Sequence, residues 1–230
     1  MSPPLLVVVG ALGTQGSGVV SAMLTTPEQH YQIRALTSDP FSESAINLAS
    51  NPRVSVEFVD LKSQESVLHA FRDATHIFAN TAFPIGISMN NGPAAAQRAE
   101  QEYGLNIARA ASQIPSLRHI IWSTLPDAES ITGGKYQIPH FQSKIPVEKY
   151  FQDTKNGLAG KTTFLRVGLY TSNLKLDLYK PLYIVRFPST NWKKRTKTGA
   201  NFSASLLEIG SKIYNCSTMS SRISISICWR

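Results

Sequence analysis

The stretch VVVGALGTQGSGVV, residues 7–20, passes from an apolar run into three glycines at three-residue spacing, Gly10, Gly13 and Gly16, and back into an apolar run. An extended segment that enters a helix through glycines has a physical use. Glycine lets the backbone come close to an anion, and the first helical turn offers N–H groups and the positive end of the dipole. In that reading Gly10 makes the turn and Gly13 removes a side chain where phosphate approaches. Gly16 lets helix and strand pack closely, and Ala11 and Leu12 lie inside the loop. Thr14 and Gln15 add side-chain donors. A tight buried turn without ligand is the competing reading, and the position between the first strand and first helix favours a dinucleotide.

Outward from this turn the hydrophobic pattern alternates between two periods. Val19, Val20, Met23 and Leu24 mark one face of a helix. Strands are expected at 4–9, 31–37, 54–60, 75–80, 117–124 and 162–170, with helices near 63–72 and 143–153. Pro93 opens a longer helix whose small and apolar residues, Ala96, Ala99, Tyr103, Ile107, Ala110 and Ile114, recur in steps of three and four. Strand and helix alternate six times with short connections. That order predicts an α/β fold, a doubly wound parallel sheet of Rossmann type, over residues 1–180. Residues 181–230 are serine-rich and basic with weak periodicity, and read as a poorly ordered tail or the remnant of a substrate lobe. No internal repeat of solenoid type is present.

The chain has 230 residues and a formal net charge of +8, which suggests a nucleic-acid partner until it is split along the sequence. Residues 1–150 hold 10 Lys/Arg against 12 Asp/Glu, a net of −2, and residues 151–230 hold 13 against 3, a net of +10. The basicity therefore belongs to the tail, with its densest cluster at Lys193, Lys194, Arg195 and Lys197. No nucleic-acid module surrounds it, so direct nucleic-acid binding is not expected. Cys216 and Cys228 leave the rest of the chain without a disulfide framework or a thiolate metal site, and no metal is expected. The start, MSPPLLVVVG, has no basic segment and too short an apolar run for a signal peptide or a membrane span. A soluble protein of the cytoplasm, with the nucleus as the alternative, is the expectation.

The spacing G-x-x-G-x-x-G differs from the G-x-G-x-x-G of many dehydrogenases and points to atypical short-chain dehydrogenase/reductase relatives. Together with YQIRALTSDP, VEFVDLKSQESVLHAFRDATHIFANTAF, HIIWSTLPDA and HFQSKIPVEKYF, the glycine stretch resembles the NmrA-like family over residues 5 to about 180. The resemblance implies an NAD(P)-binding protein, either reductase-like or a redox sensor or regulator with a protein partner. It places the pyrophosphate on Gly10 to Gly16, and the adenine beside Asp60 and Leu61. It sets Thr81, Ala82 and Phe83 along the nicotinamide half, with Lys144 reaching a ribose hydroxyl. Tyr170, Thr171, Ser172 and Asn173 then close the far side. Each residue also has an ordinary reading: Asp60 as a helix cap, Phe83 as a core aromatic, Lys144 as a solvated lysine. The family's chain normally continues into a smaller lobe, and the sequence after about residue 182 does not resemble it.

The second strand decides between NADP and NAD. Relatives reading RALTR carry arginine where this chain has Ser38, which weakens a 2′-phosphate clamp. Asp39 follows it, and either favours NAD or caps a turn. Arg34 lies inside the strand, and alternation decides its face. The resemblance favours NADP, with NAD as the alternative.

Catalysis is less evident than binding. Short-chain reductases use a tyrosine four residues before a lysine, so that the lysine lowers the phenol pKa. Here His140 holds that place before Lys144, and no tyrosine in the chain has a lysine four residues later. His140 is a substitute proton donor by its ordinary pKa, or a surface group. Ser123 ends the fifth strand where a hydrogen-bonding serine often sits. Pro146 must fall in the first helical turn to be tolerated, which puts Lys144 at the helix start. His30, His69, His76 and His119 show no metal-ligand spacing. A redox-cofactor sensor is the first expectation, and an NADPH-dependent oxidoreductase of a small carbonyl or unsaturated substrate the second.

Overall fold

All six expected strands occur, and they join in one parallel sheet in the computed structural model, which describes residues 3–26, 30–168, 170 and 172–173. β1 is Leu5–Val9, β2 Gln32–Thr37, β3 Val54–Phe58, β4 His76–Ala79, β5 His119–Thr124 and β6 Thr162–Arg166. The strand order is β3-β2-β1-β4-β5-β6. From β1 the chain moves outward through β2 to β3, then returns to β4 on the other side of β1 and moves outward again. The order therefore reverses between β1 and β4, the position where doubly wound sheets open a crevice at the carboxyl ends of their strands.

Helices cover both faces. The elements are α1 (Thr14–Thr25), α2 (Glu43–Ala49), α3 (Gln64–Ala70), α4 (Ile85–Asn91), α5 (Pro93–Ser112), α6 (Ala128–Ile131), α7 (Pro139–Gln142) and α8 (Ile145–Gln152), with a 3-10 turn at Thr154–Asn156. Alternation sorts the strand residues between two cores. Val7, Val9, Ile77, Ala79, Ile120 and Trp122 meet Val67 of α3, Ile107 and Ala108 of α5, and Val147 and Phe151 of α8. Leu6, Val8, Ile33, Ala35 and Phe78 meet Val20 of α1. Burial on both faces accounts for the nearly unbroken apolar runs of the central strands.

The long helix packs closely because it carries a glycine. A Cβ at Gly104 would stand 2.6 Å from Val147 Cγ2 and 3.2 Å from the far end of the Trp122 ring. That contact sets α5 against α8 and places Glu100, one turn before Gly104, level with the start of α8. Arg34, inside β2, turns toward α3. It pairs with Glu57 at 2.8 Å and donates to Ala70 O at 3.0 Å and Arg72 O at 2.7 Å, so it caps the carboxyl end of that helix. Its role is structural.

The chain divides after Val167, and Gly168 with the described residues beyond it belongs to a second unit. Within that unit Asn173 N–H donates to Tyr170 O at 2.9 Å. The expected tail at 181–230, with its basic cluster and both cysteines, lies outside the described residues. Among the described residues no helix is long and apolar enough to cross a membrane.

The amino ends of β4 and β5 bring two histidines together that the sequence spacing does not pair. His76 and His119 are register partners on adjacent strands. His76 Nδ1 lies 3.0 Å from Thr75 Oγ1, and its ring stands edge-on to Tyr31 at 5.1 Å. Burial, then His119 and then Arg118, holds the His76 pKa below its ordinary value. An unfolded chain consequently binds a proton that the folded chain resists. Stability is highest above the unfolded histidine pKa of about 6.5 and falls as pH drops below it toward the depressed native value. The thermal unfolding midpoint should be lower at acid than at slightly alkaline pH, and His76→Phe, which keeps the ring packing, should flatten that dependence. An equal pH slope in the variant would remove His76 as its source.

Candidate functional site

The carboxyl end of β1 carries the glycine turn. Gly10 adopts φ +67°, a left-handed conformation that glycine reaches without a Cβ penalty. Gly13 N–H donates to Gly10 O at 2.9 Å and Ala11 N–H donates to Leu36 O at 3.2 Å, so two amides of the turn are used within the protein. A Cβ at Gly13 would stand 3.2 Å from Gly10 O, and one at Gly16 would stand 2.2 Å from the same oxygen and 2.8 Å from Ala11 Cα. Gly16 is therefore a packing requirement, the point at which α1 crosses the turn.

The start of α1 differs from a self-contained helix. Its cap residue is Gly13, which has no side chain to cap the first turn, and no acidic residue lies in that turn. By contrast Ser63 caps α3 and Asp127 caps α6 through their side chains. The first amides of a helix have no intrahelical acceptor, and they lie at the positive end of its dipole, so the start of α1 is a place where an anion is favoured.

Across the crevice, the loop after β4 comes up against this turn. A Cβ on Gly10 would lie 3.1 Å from Asn80 Oδ1. The next residue, Thr81, is buried, Ala82 is exposed and Phe83 is half-buried with its ring 5.8 Å from that of His140. Beneath the loop lies a closed polar cluster. Lys144 Nζ donates to Thr81 O at 2.9 Å, to Thr81 Oγ1 at 2.8 Å and to Glu100 Oε1 at 2.9 Å. Thr81 Oγ1 donates to Glu100 Oε1 at 3.0 Å and Ser143 Oγ donates to Glu100 Oε2 at 2.5 Å. Glu100 is 1% exposed and Lys144 is 7% exposed. The Lys144 ammonium also stands 5.5 Å from the centroid of the Trp122 ring. Burial pushes the Lys144 pKa down, and the charge of Glu100 opposes that shift.

Lys144 is the cap residue of α8, with Pro146 in the first turn, the placement that proline tolerates. An ammonium has three donors, and all three are met inside the protein. Lys144 is thus no solvated lysine, and a ribose hydroxyl would have to displace one of these acceptors. His140 is exposed, with its pKa lowered by burial of part of the ring, raised by Glu100 and lowered by Lys144. Its ring meets Phe141 at 4.8 Å. Ser123 is buried within β5.

On the far side of β1, Ser38 is exposed at the end of β2. Asp39 Oδ1 accepts from Phe41 N–H at 3.2 Å, so its carboxylate organises the turn. Asp60 Oδ1 likewise accepts from Lys62 N–H at 3.0 Å, while the helix that follows is capped by Ser63 instead. Asn106 of α5 holds this loop by donating to Leu61 O at 3.0 Å and Lys62 O at 3.2 Å. Tyr170, Ser172 and Asn173 belong to the second unit and Thr171 lies outside the described residues.

Asn80, Glu100, Asn106 and Ser143 were not singled out from the sequence. For Glu100 a signal existed: it falls on the stripe of α5 that also carries Ala96, Gly104 and Ala111, where a solvated residue has no place.

A glycine turn at the switch point of a doubly wound sheet defines a Rossmann-type protein. A model of the NmrA-like family matches residues 4–186, and the chain belongs to that family. The oxidoreductase hkm9 of Aspergillus hancockii, named as carrying an NmrA-like family domain, is 27% identical over 179 residues, 78% of this chain and 50% of its own length. The similarly named oxidoreductase FrzB of a Cladobotryum species is 27% identical over 180 residues, again 78% and 50%. The chain thus spans about half the length of these curated relatives. Among solved structures, NmrA, a negative transcriptional regulator in complex with NADP, superposes with a TM-score of 0.58 at 24% identity, covering 75% of this chain and 48% of that one.

Two glycines of α1 make opposite predictions. Gly16→Ala drives a Cβ into backbone and should destabilise the fold by about 1–3 kcal/mol. Gly18→Ala, in the same helix with nothing within 4 Å of the added carbon, should stabilise it by about 0.5–1 kcal/mol. Urea unfolding of both variants checks this, and equal effects would contradict the described packing.

Proposed function

We propose that the chain binds a nicotinamide dinucleotide, NADP(H) ahead of NAD(H), across the crevice between β1 and β4, and serves as a redox-cofactor sensor or regulatory protein. The observation that carries this reading is the start of α1 behind Gly10, Gly13 and Gly16, where the cap is a glycine, side chains added at Gly13 and Gly16 would meet backbone and no acidic residue in the first turn opposes an anion. The pyrophosphate lies at Gly10 to Gly16, with Ala11, Leu12, Thr14 and Gln15 around it. The adenosine half runs toward Ser38, Asp60 and Leu61, and the nicotinamide half toward Thr81, Ala82, Phe83 and Lys144. Bound there, the dinucleotide would supply hydride chemistry, and the chain's own residues hold and orient it.

The preference for NADP(H) is modest in this reading. Arg34 is committed to Glu57 and the end of α3, which leaves the exposed Ser38 to face a 2′-phosphate. A regulatory output fits a site whose lysine has its donors committed and which has no tyrosine four residues before that lysine. Such a protein would pass the state of the cofactor to a protein partner. The naming of curated relatives as oxidoreductases favours a second reading, reduction of a small carbonyl or unsaturated compound by NADPH. There Lys144 organises the site and His140 or water gives the proton.

Calorimetric titration of the purified chain with NADPH, NADP, NADH and NAD is the direct test. Saturable binding is expected, and no binding of any of the four at millimolar concentration would sink the proposal. Ser38→Arg should tighten NADP(H) by about tenfold through a charged contact to the 2′-phosphate and leave NAD(H) unchanged. Substrate-dependent NADPH oxidation with a panel of quinones and enones separates the two readings, since the sensor is expected to give no turnover.

A further inference from the structure

We infer that Glu100 is a positioning residue for the nicotinamide half of the site, holding the loop after β4 in place through Lys144; this rests on the cofactor reading above. The observation is a carboxylate, 1% exposed, on the apolar stripe of α5. A charge so deeply placed is costly unless every oxygen is engaged and an opposite charge faces it. Both conditions are met, and the partners come from two other parts of the chain. Thr81 belongs to the loop beyond β4, and Ser143 and Lys144 form the joint between α7 and α8.

The geometry assigns a direction to this cluster. Glu100 uses Oε2 for Ser143 and Oε1 for Lys144 and Thr81, which fixes the ammonium at the end of its flexible stem. The ammonium then grips Thr81 twice, at its carbonyl and at its hydroxyl. The carbonyl grip sets the plane of the peptide between Thr81 and Ala82, and with it the path of Ala82 and Phe83 along the crevice. The hydrogen bonds of Glu100 and Lys144 run to Thr81, to Ser143 and to each other, on the side of the crevice that takes the nicotinamide half. A change at Glu100 therefore acts on one half of the site. A residue serving stability alone would weaken both halves together.

The test compares two ligands on the full chain. NADPH engages both halves, whereas adenosine 2′,5′-bisphosphate carries only the adenosine half. Glu100→Gln keeps the shape of the side chain and removes its charge. It should weaken NADPH by about tenfold or more, the scale of a lost charged hydrogen bond, and leave adenosine 2′,5′-bisphosphate within about twofold. Because a buried lysine without its counter-charge can prevent folding, Glu100→Asp serves as the second variant. It retains the charge, withdraws it by one methylene and should give a smaller loss confined to NADPH. Equal losses on both ligands, or no loss on either, overturn the inference while the cofactor reading stands. A wild-type chain that binds neither compound overturns the cofactor reading and this inference with it.

Discussion

The buried pair of Lys144 and Glu100 is the interaction on which the arrangement of the crevice depends. It joins the end of a central strand, the long helix and the joint between two short helices, segments far apart in sequence. Removing one member of such a pair typically costs about 3–5 kcal/mol, because the other charge is left without compensation. The pair forms only because α5 and α8 approach closely, and they do so because residue 104 is glycine: a methyl group there would meet Val147 and Trp122. One missing side chain thus decides whether two charges, one turn away, can meet.

The two ends of the sheet divide the work of the molecule. At the amino ends of β4 and β5 polar groups are closed off against one another: His76 and His119 sit side by side, and Thr75 is tied to Leu5 O. At the carboxyl ends the first crossover enters its helix through a glycine cap, where α3 and α6 carry a serine and an aspartate that bond the first turn. The reversal of strand order between β1 and β4 lies at this second end, where the loops after the two strands diverge.

Much of this could be read from residue types alone, and the reasons for the exceptions are physical. The strands, the first helix and the long helix follow from periods of two and 3.6 residues, and Gly16 is legible because only glycine fits where backbone crosses backbone. Pro146 located the start of α8, and so Lys144, because proline is admitted at few helical positions. The stripe of α5 points to burial of Glu100, but not to what it meets, because a carboxylate in an amphipathic helix ordinarily marks the wet face and its partner lies 44 residues away. Asp39 and Asp60 carry two readings each, since a carboxylate that bonds a nearby N–H, here Phe41 or Lys62, looks the same in sequence as one that faces a nucleotide. The pairing of His76 with His119 depends on strand order, which no local pattern contains.

Trp122 gives the molecule an optical property. Its indole is fully buried, and the ammonium of Lys144 stands over the ring that absorbs and emits light. A positive charge at that distance shifts the energy of the excited indole, and any movement of the lysine changes the shift. With Trp192 and Trp229 replaced by phenylalanine, the emission colour of the chain would report the position of a single buried cation, without label or dye.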